Sequence, residues 1–175
     1  MVLETERLTL RRFAYEDAAF IVELLNDPSF IENIADKGVR TLDDARRYLD
    51  DGPLASYAAH GFGLWRVGLK ADDTPIGMCG LLKRDALDDP DIGYAFLPRY
   101  AGRGYAHEAA AATLACARDA FGLRRVVAIV SAGNARSIGL LGKLGFAYER
   151  EVLLPHHAAP IPLYGWRAEA VVGAA

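Results

Sequence analysis

A chain of 175 residues, of which 52% are hydrophobic and 25% charged, predicts a single globular domain over residues 1–175 and excludes a disordered chain. The formal charge of -3 disfavours a nucleic-acid binder that relies on a dominant basic surface, although it leaves room for a local basic patch. The two cysteines, Cys79 and Cys116, lie in apolar runs and form no disulfide framework. With no apolar run long enough for a membrane span and no secretory pattern at the start, we expect a cytoplasmic protein without membrane or nucleic-acid partners.

The order of predicted elements indicates a mixed α/β (α+β) fold. In chain order we predict a strand over 8–13, helices over 16–25 and 43–49, strands over 61–69, 76–82 and 91–97, a helix over 104–121, a strand over 125–130, a helix over 135–144, and strands over 146–153 and 163–168. The turn at 70–75 indicates an antiparallel hairpin, and segments 85–90 and 155–162 indicate loops. The predicted architecture is a mostly antiparallel sheet with helices on both faces.

A glycine-rich loop precedes the predicted helix over 104–121. Gly102 and Gly104 lack Cβ atoms, so a ligand can approach the main chain there, and the free N–H groups of the helix start favour an anion. Arg99 and Arg103 add positive charge, and no carboxylate occurs between residues 94 and 107. A tight strand-to-helix turn without a ligand is the alternative interpretation. ATP and NAD are poor candidates, because no P-loop Lys-Ser or Lys-Thr follows and the third glycine of a dinucleotide fingerprint falls at His107.

Several short motifs recur in a fixed order along the chain. They are Thr5-Glu-Arg-Leu-Thr-Leu-Arg at the start, Asp91-Ile-Gly-Tyr before the loop, Arg-x-x-Gly-x-Gly over 99–104, Asn134-Ala-Arg-Ser137, and Lys-Leu-Gly-Phe over 143–146. In this order they resemble the GNAT superfamily of N-acetyltransferases. Within that superfamily the chain is similar to the branch of ribosomal-protein N-terminal (alanine/serine) acetyltransferases.

This resemblance implies a single-domain fold in which strands over 93–97 and 126–130 splay apart and pantetheine pairs with the first of them. It also implies acetyl-CoA as cosubstrate, with its pyrophosphate on the glycine loop, Asn134 on the pantetheine arm and Ser137 near the thioester sulfur. The cofactor-binding residues implied are Phe96, Leu97, Arg99, Ala101, Gly102, Arg103, Gly104, Tyr105, Ala106, Asn134 and Ser137.

Direct attack of an amine on a thioester needs a neutral nucleophile, a stabilised oxyanion and a leaving thiolate. Ser137 is the predicted catalytic donor to the sulfur, since a thiolate leaves without strong acid assistance. Many members of the family have a tyrosine seven residues after the asparagine, but that position is Leu141 here. Asp91 is the predicted general base, with a water relay or an exposed structural carboxylate as alternatives. For Ser137 and Asn134, local helix capping is a further interpretation.

Other polar groups give weaker predictions. The acidic cluster Asp85, Asp88, Asp89 and Asp91 is interpreted mainly as a solvated loop, and His156-His157 as a border of the acceptor pocket. No histidine spacing suits a metal, so no metal cofactor is expected. Both cysteines are predicted core residues, which disfavours a covalent acetyl-enzyme.

The acceptor is open at this point. Protein N-terminal α-amines have a lower pKa than lysine and therefore suit a weak base, which mildly favours them. Two alternatives are an acetyltransferase of a small amine (a polyamine, amino acid or antibiotic) and a non-catalytic acyl-CoA binding module. Either a monomer or a homodimer is compatible with the sequence.

Overall fold

One eight-stranded sheet organises the part of the chain that the computed structural model describes, residues 2–155 and 157–168. Its strands are β1 (Val2–Glu4), β2 (Leu8–Arg12), β3 (Leu64–Leu69), β4 (Pro75–Leu82), β5 (Asp91–Phe96), β6 (Arg125–Ile129), β7 (Ala147–Val152) and β8 (Ile161–Arg167). The strands lie in the order β1-β2-β3-β4-β5-β6-β8-β7, and every neighbouring pair is antiparallel except β5 and β6. The predicted mixed, mostly antiparallel sheet is confirmed.

Six α-helices flank the sheet within the described residues. They are α1 (Ala18–Leu25), α2 (Pro28–Asn33), α3 (Leu42–Leu49), α4 (Ala55–His60), α5 (Tyr105–Asp119) and α6 (Ala135–Lys143), supplemented by 3-10 turns at Tyr15–Asp17 and Pro98–Tyr100 and a π turn at Asp50–Leu54. Across residues 2–155 and 157–168, no helix is long and apolar enough to cross a membrane.

A capping box begins α3, whereas the neighbouring helices α2 and α4 were not predicted. Thr41 Oγ1 accepts from the Asp44 N–H at 3.1 Å, and the Asp44 carboxylate accepts from the Thr41 N–H at 2.9 Å. Asp27 caps α2 by accepting from the Ser29 N–H, and Pro28 occupies the first position of that helix. The strand predicted from 61 begins only at Leu64, because Gly61 ends α4 in a left-handed conformation.

The C-terminal strands also differ from the prediction. Segment 155–162 was expected to be a loop, but β8 starts at Ile161 and includes Pro162. Pro162 has no N–H to donate, but its carbonyl bonds to the neighbouring segment of the sheet by accepting from the Val130 N–H at 3.2 Å. The predicted role of His156 lies outside the described residues.

Two apolar cores pack on opposite faces of the sheet. Residues of α5 such as Ala109 and Leu114 pack with Cys79 and Ile92, whereas residues of α1 and α3 pack with Met78. Successive side chains of a strand point to opposite faces, so Met78 and Cys79 identify the two sides. The helices therefore cover both faces, as predicted.

The sheet opens at its centre. The only register pair that joins β5 to β6 in the described residues is Asp91 with Val127, and the Val127 N–H donates to Pro90 O at 2.9 Å. Beyond that point the two parallel strands are no longer paired, although each continues for several residues. The gap between them exposes main chain inside the protein, which is the splayed arrangement that was expected.

Candidate active site

A groove of about 1090 Å³ lies where β5 and β6 diverge. Its walls come from β5, from the loop before α5 and from α6 on one side, and from α2, the π turn and α4 on the other. Because it passes from one face of the sheet to the other, an extended molecule can reach both faces through it.

The hydrogen-bond pattern of β5 determines which main-chain groups face this groove. The Leu97 N–H donates to Ile76 O on the β4 side at 2.9 Å, and antiparallel ladders alternate in direction from one residue to the next. Tyr94 and Phe96 therefore direct their N–H and C=O groups towards the opening. The prediction that the Leu97 amide contacts a cofactor is wrong, because that amide is used inside the sheet. The groups available are those of Tyr94 and Phe96.

The glycine loop leaves the start of α5 open. Gly102 and Gly104 have φ of +76° and +80°, and a Cβ at Gly102 would meet no atom within 4 Å. The first backbone bond of the helix runs from the Glu108 N–H to Gly104 O at 3.0 Å, so the N–H groups of residues 105–107 have no partner within the helix. These amides face a lining that includes Ala101, Gly102, Gly104, Tyr105 and Ala106.

A brace that the sequence analysis did not identify holds this loop. Glu108 accepts from Thr5 Oγ1 at 2.6 Å, from the Arg7 N–H at 2.9 Å and from Arg7 Nε at 2.7 Å. Arg7 also donates to Arg103 O at 2.9 Å and stacks over the Tyr105 ring at 4.7 Å. Burial acts to raise the pKa of Glu108, but the bonds from Thr5 and Arg7 leave it lowered. The start of the chain thus fixes the loop in its open shape.

Two cations of α6 line the groove, in addition to the predicted Arg99 and Arg103 beside the loop. Arg99 is 55% exposed and pairs with Glu23 of α1 at 2.6 Å. Arg103 contributes its carbonyl to the Arg7 brace. Arg136 and Lys143 of α6 are part of the groove lining. Their spacing of seven residues places both on one side of the helix, which is a signal that the sequence already carried.

Tyr94 and Ser137 meet on the face that α5 and α6 cover. The Tyr94 hydroxyl and Ser137 Oγ lie 2.7 Å apart, and the Ser137 N–H donates to Asn134 Oδ1 at 3.1 Å. Asn134 is therefore the N-cap of α6, as one interpretation held. Leu141 is 1% exposed and belongs to the core, so it supplies no hydroxyl. Burial raises the pKa of Tyr94 to about 12, which keeps its proton in place at neutral pH.

Asp91 lies on the opposite face of β5. Its carboxylate is 1% exposed, which contradicts the exposed-carboxylate alternative, and both of its oxygens accept from Arg84 Nε at 3.1 Å. Burial raises the pKa of Asp91, and Arg84 opposes this shift only in part. A carboxylate in this state is a stronger base than an exposed one.

The remaining polar groups have mainly structural surroundings. Asp89 pairs with Arg125 at 2.7 Å, and His157 lines the groove. Cys79 is fully buried and burial raises the pKa of its thiol to about 12, so it is a poor nucleophile. Among the residues described, no group of three or more potential ligands could hold a metal ion.

Comparisons with known proteins agree with this geometry. A sequence profile of the acetyltransferase (GNAT) domain matches residues 7–147. The uncharacterized N-acetyltransferase p20 of Bacillus licheniformis is 30% identical over 151 residues, covering 84% of this chain and 83% of its own. The crystal structure of a GNAT-family acetyltransferase from Bacillus anthracis is 27% identical, with a TM-score of 0.76 and coverage of 94% and 96%. RimL, a ribosomal L7/L12 alpha-N-protein acetyltransferase in complex with coenzyme A, shares the fold at 14% identity, with a TM-score of 0.82 and coverage of 95% and 98%.

Proposed function

The chain belongs to the acetyltransferase (GNAT) family, and from this premise we propose that it transfers the acetyl group of acetyl-CoA directly to a primary amine, with a protein N-terminal α-amine as the favoured acceptor. One domain over residues 1–175 carries this activity. The observation that supports the proposal most is the opening beside β5, which ends at the free amides of α5.

The chain offers matching groups along the whole length of a CoA molecule. The amides at the start of α5, with Arg136 and Lys143 nearby, suit the phosphates. The main-chain groups of Tyr94 and Phe96 suit the two amides of pantetheine, which then adds to β5 like a short strand. This arrangement brings the thioester beside Tyr94 and Ser137.

The chemistry follows from the two faces of β5. The amine nitrogen attacks the thioester carbonyl, an N–C bond forms, the C–S bond breaks, and the electron pair goes to the sulfur. Ser137 Oγ donates a hydrogen bond to the developing thiolate, and the Tyr94 hydroxyl donates to Ser137 in turn. We propose that this pair performs the role that the helix tyrosine performs in many members of the family, since that position is Leu141 here. Asn134 supports Ser137 by capping its helix.

Asp91 is the proposed base for the amine. Its raised pKa brings it closer to the range in which a carboxylate takes a proton near neutrality, and Arg84 fixes its orientation. The proton passes to Asp91 either directly or through a water molecule. Even with this shift, a carboxylate is a weak base compared with an amine. It therefore suits an α-amine, which is less often protonated at neutral pH than a lysine side chain.

The experiment is acetyl transfer from acetyl-CoA to a panel of peptides with free N-termini, lysine peptides and small amines, followed by mass spectrometry and by release of free CoA. Preferential modification of peptide α-amines supports the favoured acceptor. Modification of a small amine alone replaces that acceptor and keeps the reaction. Absence of transfer and of CoA release across the panel refutes the proposed activity.

A further inference from the structure

The groove is cationic although the chain is acidic. Cations outnumber carboxylates in its lining, with Lys37, Lys83, Arg84, Arg136 and Lys143 against Asp51 and Asp91. The chain as a whole has a formal charge of -3. Positive charge is therefore concentrated where the substrates bind, and such a field favours anionic ligands.

The phosphates of CoA account for only part of this charge. Arg136 and Lys143 belong to α6, on the face where Ser137 meets Tyr94. Arg84 instead pairs with Asp91, which alternates with Tyr94 along β5 and so points to the other face. Lys37 lines the same groove as Arg84, and the charge of Arg84 contributes to lowering the pKa of Lys37. A second group of cations thus lies across the sheet from the seat proposed for CoA.

Lys37 and Arg84 lack a full complement of anions. Arg84 reaches Asp91 through Nε alone, and its terminal nitrogens make no hydrogen bond to any described residue. Lys37 has neither an ion pair nor a hydrogen bond within residues 2–155 and 157–168. Partial desolvation, and then the charge of Arg84, lower the pKa of Lys37, although the residue as a whole is exposed to solvent. Of these two cations only Arg84 has a carboxylate partner, Asp91, so a further anion in the groove would find an unpaired positive charge on Lys37.

We propose that Lys37 and Arg84 form a carboxylate-binding subsite, so that the acceptor is an amine that carries a carboxylate group near its reacting nitrogen. Asp91 already balances the charge of Arg84, which leaves about one positive charge for the ligand. One charge matches a carboxylate better than a doubly charged phosphate. This inference rests on the proposed acetyl transfer and names the chemistry of its acceptor.

Two kinds of acceptor have this chemistry. In a free amino acid the carboxylate carbon is two bonds from the α-amino nitrogen. A peptide has a carboxylate near its N-terminus when its first residues are acidic. Because Arg84 touches the proposed base, the bound carboxylate lies close to the reacting amine in either case. Matched substrates distinguish the two sources.

The test compares kcat/KM for pairs of acceptors that differ in one charge. The pairs are an α-amino acid and its carboxamide, and peptides with a free N-terminus and either glutamate or glutamine at the second position. Lys37→Met removes the charge while keeping the length of the side chain, and Lys37→Glu reverses it. Arg40→Gln is the matched control, because Arg40 lies three residues away, pairs with Asp36 and is absent from the groove lining.

The wild type is expected to prefer the carboxylate member of at least one pair by about tenfold, in line with one charge-assisted contact. Lys37→Met is expected to abolish most of this preference and Lys37→Glu to invert it, while the Kd for CoA and the behaviour of Arg40→Gln stay unchanged. The amino acid pair or the peptide pair that shows the effect identifies the source.

Equal rates within both pairs, at measurable turnover, overturn the subsite and leave the acetyltransferase proposal intact. A loss of CoA affinity in Lys37→Met without any change in acceptor preference also overturns it, because Lys37 would then serve the cofactor. No turnover with any acceptor refutes the underlying activity instead.

Discussion

Replacing Tyr94 by phenylalanine removes one hydroxyl from the chain of hydrogen bonds proposed to reach the thioester sulfur and leaves the ring packed against the core. In the structure this hydroxyl is bonded to Ser137 Oγ at 2.7 Å, and burial holds its pKa at about 12. During transfer the Tyr94–Ser137 pair would face a sulfur that becomes negative. The variant therefore tests whether Tyr94 assists the departure of the thiolate.

The size of the effect follows from the bond that is lost. Hydrogen bonds to a charged group contribute about 1.5 to 3 kcal/mol, and each 1.36 kcal/mol is a tenfold change in rate. Tyr94 reaches the sulfur only through Ser137, so this range is the upper limit of its effect: we expect kcat for Tyr94→Phe to fall by roughly tenfold, and by no more than for Ser137→Ala, with little change in KM for acetyl-CoA. The folded protein loses one neutral hydrogen bond, which is about 1 kcal/mol and shifts Tm by about 2 to 4 °C for a chain of this size.

The assay is CoA release at saturating acetyl-CoA, measured for Tyr94→Phe, Ser137→Ala and the double variant. Because the two hydroxyls act in series, the double variant is expected to be no slower than Ser137→Ala. Tyr148→Phe is the matched control, since Tyr148 is exposed on an edge strand and absent from the groove lining. An unchanged kcat in Tyr94→Phe, or effects that multiply in the double variant, would refute the proposal that Tyr94 assists the departing thiolate through Ser137.

Three further variants test other parts of the site. Gly104→Glu places a carboxylate at the free amides of α5 and is expected to raise the Kd for CoA at least tenfold in calorimetry. Gly104→Ala controls for backbone strain at φ +80°. Equal effects of the two substitutions on the Kd for CoA would argue against an anion site. Since burial raises the pKa of Asp91, the acidic limb of the pH profile of kcat/KM should lie above the ordinary carboxyl range. Arg84→Gln removes a charge that opposes this shift and should move the acidic limb to higher pH. If the limb persists in Asp91→Asn, it belongs to another group. Glu108→Gln breaks the loop brace and is expected to reduce the free energy of unfolding by roughly 1 kcal/mol at pH 7. Because the pKa of Glu108 is lowered in the folded state, this difference in stability should vanish as the pH falls through that pKa. An equal loss of stability in acid would contradict this account.

The sequence alone determined the parts of the fold and site that depend on local chemistry. The order of the long helices and strands followed from periodicity and was confirmed within a few residues at each end. The glycine loop and the capping asparagine were recognised because positive φ and helix ends require particular residue types nearby. The short β1, α2 and α4 were missed, because a few residues carry too little pattern and their stability comes from packing.

Tertiary structure decided which side chains meet. Tyr94 and Ser137 are 43 residues apart, and their contact depends on strand direction and on where α6 packs, neither of which has a local signal. Likewise, the strand register directs the Leu97 amide into the sheet, and packing against α1 gives Arg99 a carboxylate partner in Glu23. The physical reason is range: backbone conformation responds to residues within one helical turn, whereas hydrogen bonds and ion pairs between side chains depend on how whole elements are placed. The family could therefore be identified from short motifs, while Tyr94 and Lys37 became candidates only in the folded chain.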